Sequence, residues 1–425
     1  MQHLPRGLHL VVVFRFNAMT AFSIARRAIA VSFILALASC SKDGFGLYDS
    51  DGYRDPAPSW GSSDDSGSSG NGGNTSAGVL TAGEWNDLDN WYFWGNMMLS
   101  QGSGNDDGGY YQYCPYWEFY PQDRVAVKVT EGGAPAAGVK LELSVDGQRA
   151  WTAVTDNMGV ANLWPGLYEK SALGENAVLS ISVGGKVQPE APVLTRWVSE
   201  QTVYNTYEIA SGGVSARKAD IAFIVDATGS MGDEIKFLKQ DLQDIVSKVG
   251  ASCPDVALRL AALFYRDEGD EYVTRSKNFT SDVTAVSDFI GAQSAVGGGD
   301  YPEAVHTALE AGLQNLSWDE SARSKIAFLI LDAPAHHNDN VIASLHASID
   351  SYARNGIKII PVAASGVDKN TEFMSRFFAL ATSGTYVFLT DDSGVGESHI
   401  EPSVGEYKVE ALNELLIRLI VKYIQ

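Results

Sequence analysis

The sequence predicts an α/β protein: a doubly wound, mainly parallel sheet preceded by a small antiparallel β-sandwich. Two observations predict it. In the C-terminal half, unbroken apolar runs alternate with stretches of helical spacing, the pattern of strands covered on both faces by crossover helices. In residues 124–187, short runs alternate apolar and polar positions between Gly-rich turns, the pattern of half-buried antiparallel strands.

The apolar runs place strands at 220–226, 256–265, 326–332, 357–363 and 385–390, with an edge strand near 272–279. Helical spacing places helices at 231–249, 282–293, 302–316, 340–355, 369–382 and 406–424. The first carries Ile235, Leu238, Leu242, Ile245, Val246 and Val249 on one stripe. The last carries Val409, Leu412, Leu415, Leu416, Leu419 and Ile420, a broad apolar face that should dock on the sheet. In the front region the alternating strands are Val125-Val127-Val129, Val139-Leu141-Leu143-Val145 and Val178 to Val183. Turns at Glu131-Gly-Gly, Asp146-Gly and Val183-Gly-Gly divide them.

The most informative stretch is Ile221-Ala-Phe-Ile-Val-Asp226-Ala-Thr228-Gly-Ser230-Met231. An apolar strand stops at an acid and two hydroxyl residues spaced two apart, and helical spacing follows. The carboxyl ends of strands are where α/β proteins build sites. A tight strand-to-helix turn can present three oxygens to one ion, and hard divalent cations take oxygen ligands of this kind. The alternative is that these residues only cap the helix.

These residues resemble the first segment of the metal-ion-dependent adhesion site of the von Willebrand factor type A (vWA) family, with Thr228 where Ser is commoner. Gly297-Gly-Gly-Asp300-Tyr-Pro-Glu303-Ala is similar to the family's second loop, and Ile326-Ala-Phe-Leu-Ile-Leu-Asp332-Ala-Pro-Ala-His336 to its third. The resemblance covers about residues 215–425 and implies a Rossmann-like fold. It also implies a divalent ion, magnesium or else calcium or manganese, held by Asp226, Thr228, Ser230, Asp300 and Asp332. The second loop departs from the usual pattern by offering Asp300 instead of a Thr hydroxyl, and Gly-Gly-Gly-Asp-x-Pro-Glu resembles a hemicentin-like and alpha-kinase-linked sub-branch. A third carboxylate lowers the electrophilicity of the ion toward an acidic ligand. It also makes calcium a fairer competitor, because its flexible shell accepts more oxygens.

The front of the chain sets the expected compartment. Arg26 and Arg27 precede an apolar run from Ala28 to Ala38 that ends in small residues, the composition of a secretory signal over residues 1–39; Met19 is an alternative start. The run falls short of the ~20 residues needed to span a bilayer. Cys40, directly after Leu37-Ala38-Ser39, resembles the bacterial lipobox cysteine, which implies acylation at Cys40 and a lipid anchor in the cell envelope. Ser41 carries no inner-membrane retention signal, so the outer membrane is favoured. Residues 40–80 are rich in Gly, Ser, Asp and Asn and are expected to form a tether.

Residues 81–122 are dense in aromatic side chains, among them Trp85, Trp91, Trp94, Tyr110, Tyr116, Trp117 and Phe119. Rings bury large areas, so packing is the expected role, with a glycan platform as the alternative. Residues 123–210 form the sandwich region. Within it, Thr155-Asp-Asn-Met-Gly159-Val-Ala-Asn-Leu163-Trp-Pro-Gly166-Leu resembles a turn of Ig-like or carboxypeptidase-regulatory-like domains, which implies a spacer or a platform packed on the vWA unit.

With 52 acids against 31 bases and no basic patch, the chain is not expected to bind nucleic acid. Cys114 and Cys253 lie in different predicted regions, and their spacing leaves both a disulfide and two free thiols open. Two functions remain. The first is an envelope-anchored binding module whose ion takes a partner, which the resemblance implies to be a protein. The second is a metal-dependent hydrolase using His336 or His337 as base. No Lys-bearing phosphate loop and no nucleophile elbow appear, so binding rather than catalysis is expected.

Overall fold

The computed structural model of the protein describes residues 80–99, 110–214, 216–390 and 400–425. The signal, Cys40 and the tether up to residue 79 lie outside the described residues. No helix among those described is long and apolar enough to cross a membrane.

The chain begins with β1 (Thr81–Trp85), α1 (Trp91–Leu99) and α2 (Tyr113–Trp117). The small β region follows: β2 (Asp123–Glu131), β3 (Ala134–Pro135), β4 (Lys140–Val145), β5 (Gln148–Val154), β6 (Val160–Leu163), β7 (Leu179–Val183), β8 (Lys186–Val187), β9 (Thr195–Arg196) and β10 (Tyr204–Ile209). One of its sheets runs β5-β4-β7-β8; the other is built on β2, which pairs with β3, β6, β9 and β10. All pairs are antiparallel except β2/β10. That parallel pair forms because β10 returns only after the other sheet is complete, a crossover long enough to bring it back in the same direction. Apolar positions of both sheets, Val125, Val127, Leu141, Leu143, Trp151, Leu163 and Ile181, meet in one core.

The α/β region is β11 (Lys218–Asp226), α3 (Gly232–Ser252), β12 (Ala257–Tyr265), β13 (Thr274–Thr280), α4 (Val283–Gly291), α5 (Val305–Gln314), β14 (Ser324–Leu331), α6 (Asp339–Arg354), β15 (Ile357–Ala363), α7 (Lys369–Ala381), β16 (Tyr386–Thr390), β17 (Glu410–Ala411) and α8 (Leu412–Ile424). The sheet order is β13-β12-β11-β14-β15-β16-β1-β17, parallel from β12 to β16 and antiparallel at both margins. The doubly wound architecture expected from the sequence is present. One strand comes from an unexpected place: β1, in the aromatic segment, pairs with β16 and extends the sheet. Two helix starts differ from the periodicity for local reasons. The final helix begins at Leu412 because Glu410–Ala411 pairs with β1. The helix expected from 302 begins at Val305 because Glu303 is bridged to Ala335.

Each face of the sheet has its own core. Helices α3, α4 and α8 cover one face, with Ile235, Leu242, Val286, Leu415 and Leu419 buried on it. On the other, α5, α6 and α7 share a continuous core with the β region and the aromatic segment. Trp91, Trp94, Trp117 and Phe119 are buried there, and Phe119 stacks on Phe377 of α7 at 3.6 Å. A fully buried ring of this size contributes about 1.5–3 kcal/mol. Most of the aromatic segment therefore packs; Tyr92, Phe93, Tyr111 and Tyr116 remain exposed. The β region sits on α6, where Tyr168 stacks on His346 at 4.0 Å and donates a hydrogen bond to its carbonyl. Cys114 and Cys253 are both free and lie in the cores of opposite faces, so the sheet separates them. Burial pushes the Cys114 thiol up to about 12.

Candidate metal centre

Strand β11 lies between β12 and β14, so successive connections leave it in opposite directions. This is the switch point at which open α/β sheets leave a crevice beyond the carboxyl ends of their strands. Asp226 ends β11 at that crevice and is fully buried. Thr228 is buried beside it, and both its backbone N–H (2.8 Å) and its hydroxyl (2.7 Å) donate to Asp226 Oδ1. The second oxygen, Oδ2, is buried and has no hydrogen-bond partner. Gly229–Met231 then form one 3₁₀ turn into α3, leaving Ser230 exposed.

The second loop is fastened to the first by backbone. Val296 N–H donates to the Ala227 carbonyl (3.0 Å), and Gly229 N–H donates to the Gly297 carbonyl (3.1 Å). Gly298 has φ +76°, and a Cβ there would lie 3.0 Å from Glu303 Oε1 and 3.2 Å from Thr228 Cβ. Glycine thus lets Thr228 and Glu303 approach across it. The same loop is tied to the third: Glu303 N–H donates to the Pro334 carbonyl at 2.9 Å. Asp332, the residue after β14, is buried at the same end of the sheet.

Of the five residues expected to hold the ion, Asp226 and Thr228 are in direct contact and Asp332 lies close enough for its charge to act on Asp226. Ser230 and Asp300 are exposed, and Asp300 makes no hydrogen bond or ion pair to a described residue. The acid that the second loop buries is Glu303, whose Oε2 has no hydrogen-bond partner. Glu303 belongs to the loop motif but is not among the residues expected to hold the ion. The available signal was its place just before an apolar helical stripe, where a side chain turns inward.

The electrostatics are one-sided. Burial, then the charge of Asp332, raises Asp226 to about 7. Burial, then the charges of Asp226, Asp267, Asp332 and Asp270, raises Glu303 to about 9. Burial likewise raises Glu234, on the first turn of α3, to about 7. Tyr265 is fully buried with its hydroxyl near Asp226 but without an aligned hydrogen bond, and it is raised well above its ordinary value, by burial first. Among the described residues no Lys, Arg or His forms an ion pair with Asp226 or Glu303, and no three His, Cys, Asp or Glu side chains converge closely enough to hold an ion by themselves. The candidate bases are engaged elsewhere. His336 Nε2 lies 2.6 Å from Asp267 Oδ1, and His337 Nε2 lies 2.7 Å from the Tyr116 carbonyl, its ring stacked on Tyr116.

Residues 220–394 match the family model described as von Willebrand factor A domain. The chain contains a vWA domain. Residues of this chain are similar to an ariadne-like RING finger protein of Acanthamoeba polyphaga mimivirus, 36% identical over 121 residues, which is 28% of this chain and 12% of that protein. They are also similar to the alpha-protein kinase vwkA of Dictyostelium discoideum, 23% identical over 207 residues, or 48% of this chain and 32% of that one. The chain thus spans less than a third of the length of either relative. Among solved structures, the pilus adhesin SpaC from Lactobacillus rhamnosus GG is similar at 11% identity, with 49% of this chain and 31% of that one covered and a TM-score of 0.36. Proximal thread matrix protein 1 from the mussel byssus is similar at 15% identity, 48% and 46% coverage and a TM-score of 0.32.

Proposed function

We propose that this chain is a lipid-anchored envelope protein whose vWA domain binds a protein partner through a divalent cation at the switch point of the sheet. Asp226, Thr228 and Asp332 hold the ion together with Glu303, and Ser230 and Asp300 complete the shell directly or through water. The observation that carries the reading is a pair of buried carboxylate oxygens, Asp226 Oδ2 and Glu303 Oε2, without a partner at the carboxyl end of the strands. Unpaired buried anions are costly, and a hard cation satisfies them. Hydroxyl and water oxygens would complete the shell, since among the described residues no three acids converge on one point. Magnesium is the first choice, with calcium or manganese able to take its place. When bound, the ion supplies a coordination position to a partner's oxygen. The role is binding rather than catalysis, since His336 and His337 face other partners.

The reading places the folded region outside the membrane on a tether from acylated Cys40, with the outer membrane as the expected site. The test is capture of partners from envelope extract by the full-length protein with magnesium, with chelator, and with Asp226→Asn. A partner retained by the wild type in magnesium and lost in both other cases supports the proposal. Equal capture in all three would sink it.

A further inference from the structure

We propose that the cavity between the β region and the amino ends of β14 and β15 binds a small organic anion, a carboxylate or phosphate carried on an apolar body. The cavity measures about 420 Å³, within the range of about 300–1,000 Å³ common for small-molecule sites. Four cations line it, Arg323, Lys325, Arg354 and Lys358, in a chain whose net charge is −21. Two of them are matched: Arg354 pairs with Asp350, and Lys358 Nζ lies 3.1 Å from Asp156 Oδ2 and donates to the Ser383 carbonyl at 2.5 Å. The other two are not. Lys325 is buried and donates only to the Asn355 carbonyl, at 3.2 Å. Arg323 donates to the Asn157 carbonyl at 3.0 Å, and its Nε is buried with no partner. Neither forms an ion pair among the described residues; the remaining acid of the lining, Glu320, is exposed.

Buried cations are ordinarily paired, because desolvation disfavours the charge. Burial accordingly lowers Lys325 from its ordinary value. An anion seated between Arg323 and Lys325 would relieve that cost, and a guanidinium beside an ammonium suits a carboxylate or phosphate. The rest of the wall is mixed: the apolar side chains of Val154, Leu316, Trp318 and Ile357 stand among the polar groups of Thr155, Asn162, Ser317, Asn355 and Thr382. A bare inorganic anion would leave the four apolar side chains, Trp318 above all, without a partner, so the ligand carries an apolar group. The site lies at the opposite end of the strands from Asp226 and is independent of the metal centre.

The test is calorimetric titration of the full-length protein with phenyl phosphate, benzoate, inorganic phosphate and neutral benzyl alcohol, each in the presence of chelator. Saturable binding of phenyl phosphate or benzoate, with benzyl alcohol silent, is expected; which of the two binds tighter tells phosphate from carboxylate. Lys325→Met, which removes an unpaired charge while keeping the apolar stem, and Arg323→Gln are each expected to weaken binding about tenfold. Absence of saturable binding for both aromatic anions overturns the proposal. So does unchanged affinity in both variants, or inorganic phosphate binding as tightly as phenyl phosphate.

Discussion

Two groups of buried acids lie beside the large sheet, and they are solved in opposite ways. Asp87, from the segment before the β region, and Glu372 of α7 both contact Arg376, whose guanidinium is fully buried. Arg376 Nη2 reaches Asp87 Oδ1 at 2.6 Å, its Nε reaches Oδ2 at 3.0 Å, and Trp85 and the Ser403 backbone take up remaining bonds. Burial is the largest influence and pulls Arg376 down, but the charge and hydrogen bonds of Asp87, with Tyr110 and Glu372, together outweigh it and hold the guanidinium above its ordinary value. Asp226 and Glu303 are also buried, and among the described residues no base pairs with either. The first group is closed within the chain and serves packing. The second has no matching base among the described residues, and under the proposed function a cation supplies the missing positive charge.

The largest expected effect comes from breaking the closed group. Arg376→Met leaves Asp87 buried without a base and Glu372 with Lys369 alone, and should cost about 3–5 kcal/mol in urea unfolding. A loss below about 1 kcal/mol would mean the two groups are not different in kind. The open group predicts the reverse. Asp226→Asn keeps an oxygen for the Thr228 donors and removes a repelled charge, so in chelator it should be at least as stable as the wild type. Saturating magnesium should stabilise the wild type by about 2.7 kcal/mol at a hundredfold excess over Kd and leave Asp226→Asn unchanged. Melting curves with and without magnesium measure both.

The pH response sharpens the contrast. Asp226 and Glu303 bind protons more tightly folded than unfolded, their folded values being about 7 and about 9. Their contribution is therefore fully present below the unfolded carboxyl range, near pH 4, and is lost as pH rises through those values. In chelator the melting temperature should fall between pH 5 and 9. With saturating magnesium that fall should flatten, because the ion favours the ionised acids. A curve that is identical in both conditions would remove the cation from the account.

Much of this arrangement was legible in the sequence because it depends on strand and helix period. Asp226 follows an unbroken apolar run, so its position at the end of a central strand could be read directly. So could Asp332 after the run from Ile326. Contacts made far along the chain could not be read. Nothing local in Thr81–Trp85 distinguishes a strand at the margin of the C-terminal sheet from one in the β region, because its partner is residues 386–390. Arg376 likewise reads as one charge on a helix, and only the fold brings Asp87 to it. The second loop shows the limit most sharply. Two acids three residues apart, Asp300 and Glu303, are equivalent by composition, and the bridge from Glu303 to Ala335 turns one inward and leaves the other in solvent.

That pair supplies the smallest and most discriminating expected effect. If charge inside the group is what draws the ion, Glu303→Gln should weaken magnesium binding by about tenfold or more, since it removes a buried carboxylate near Thr228. Asp300→Asn should weaken it only a few-fold, because an exposed carboxylate acts through water and is screened by salt. Calorimetric titration at low and high salt separates the two: the Asp300→Asn deficit should shrink as salt rises, while the Glu303→Gln deficit persists. If instead Asp300→Asn proves the more damaging, the loop closes on the ion through Asp300, and the inward turn of Glu303 belongs to packing, like the closed group around Arg376.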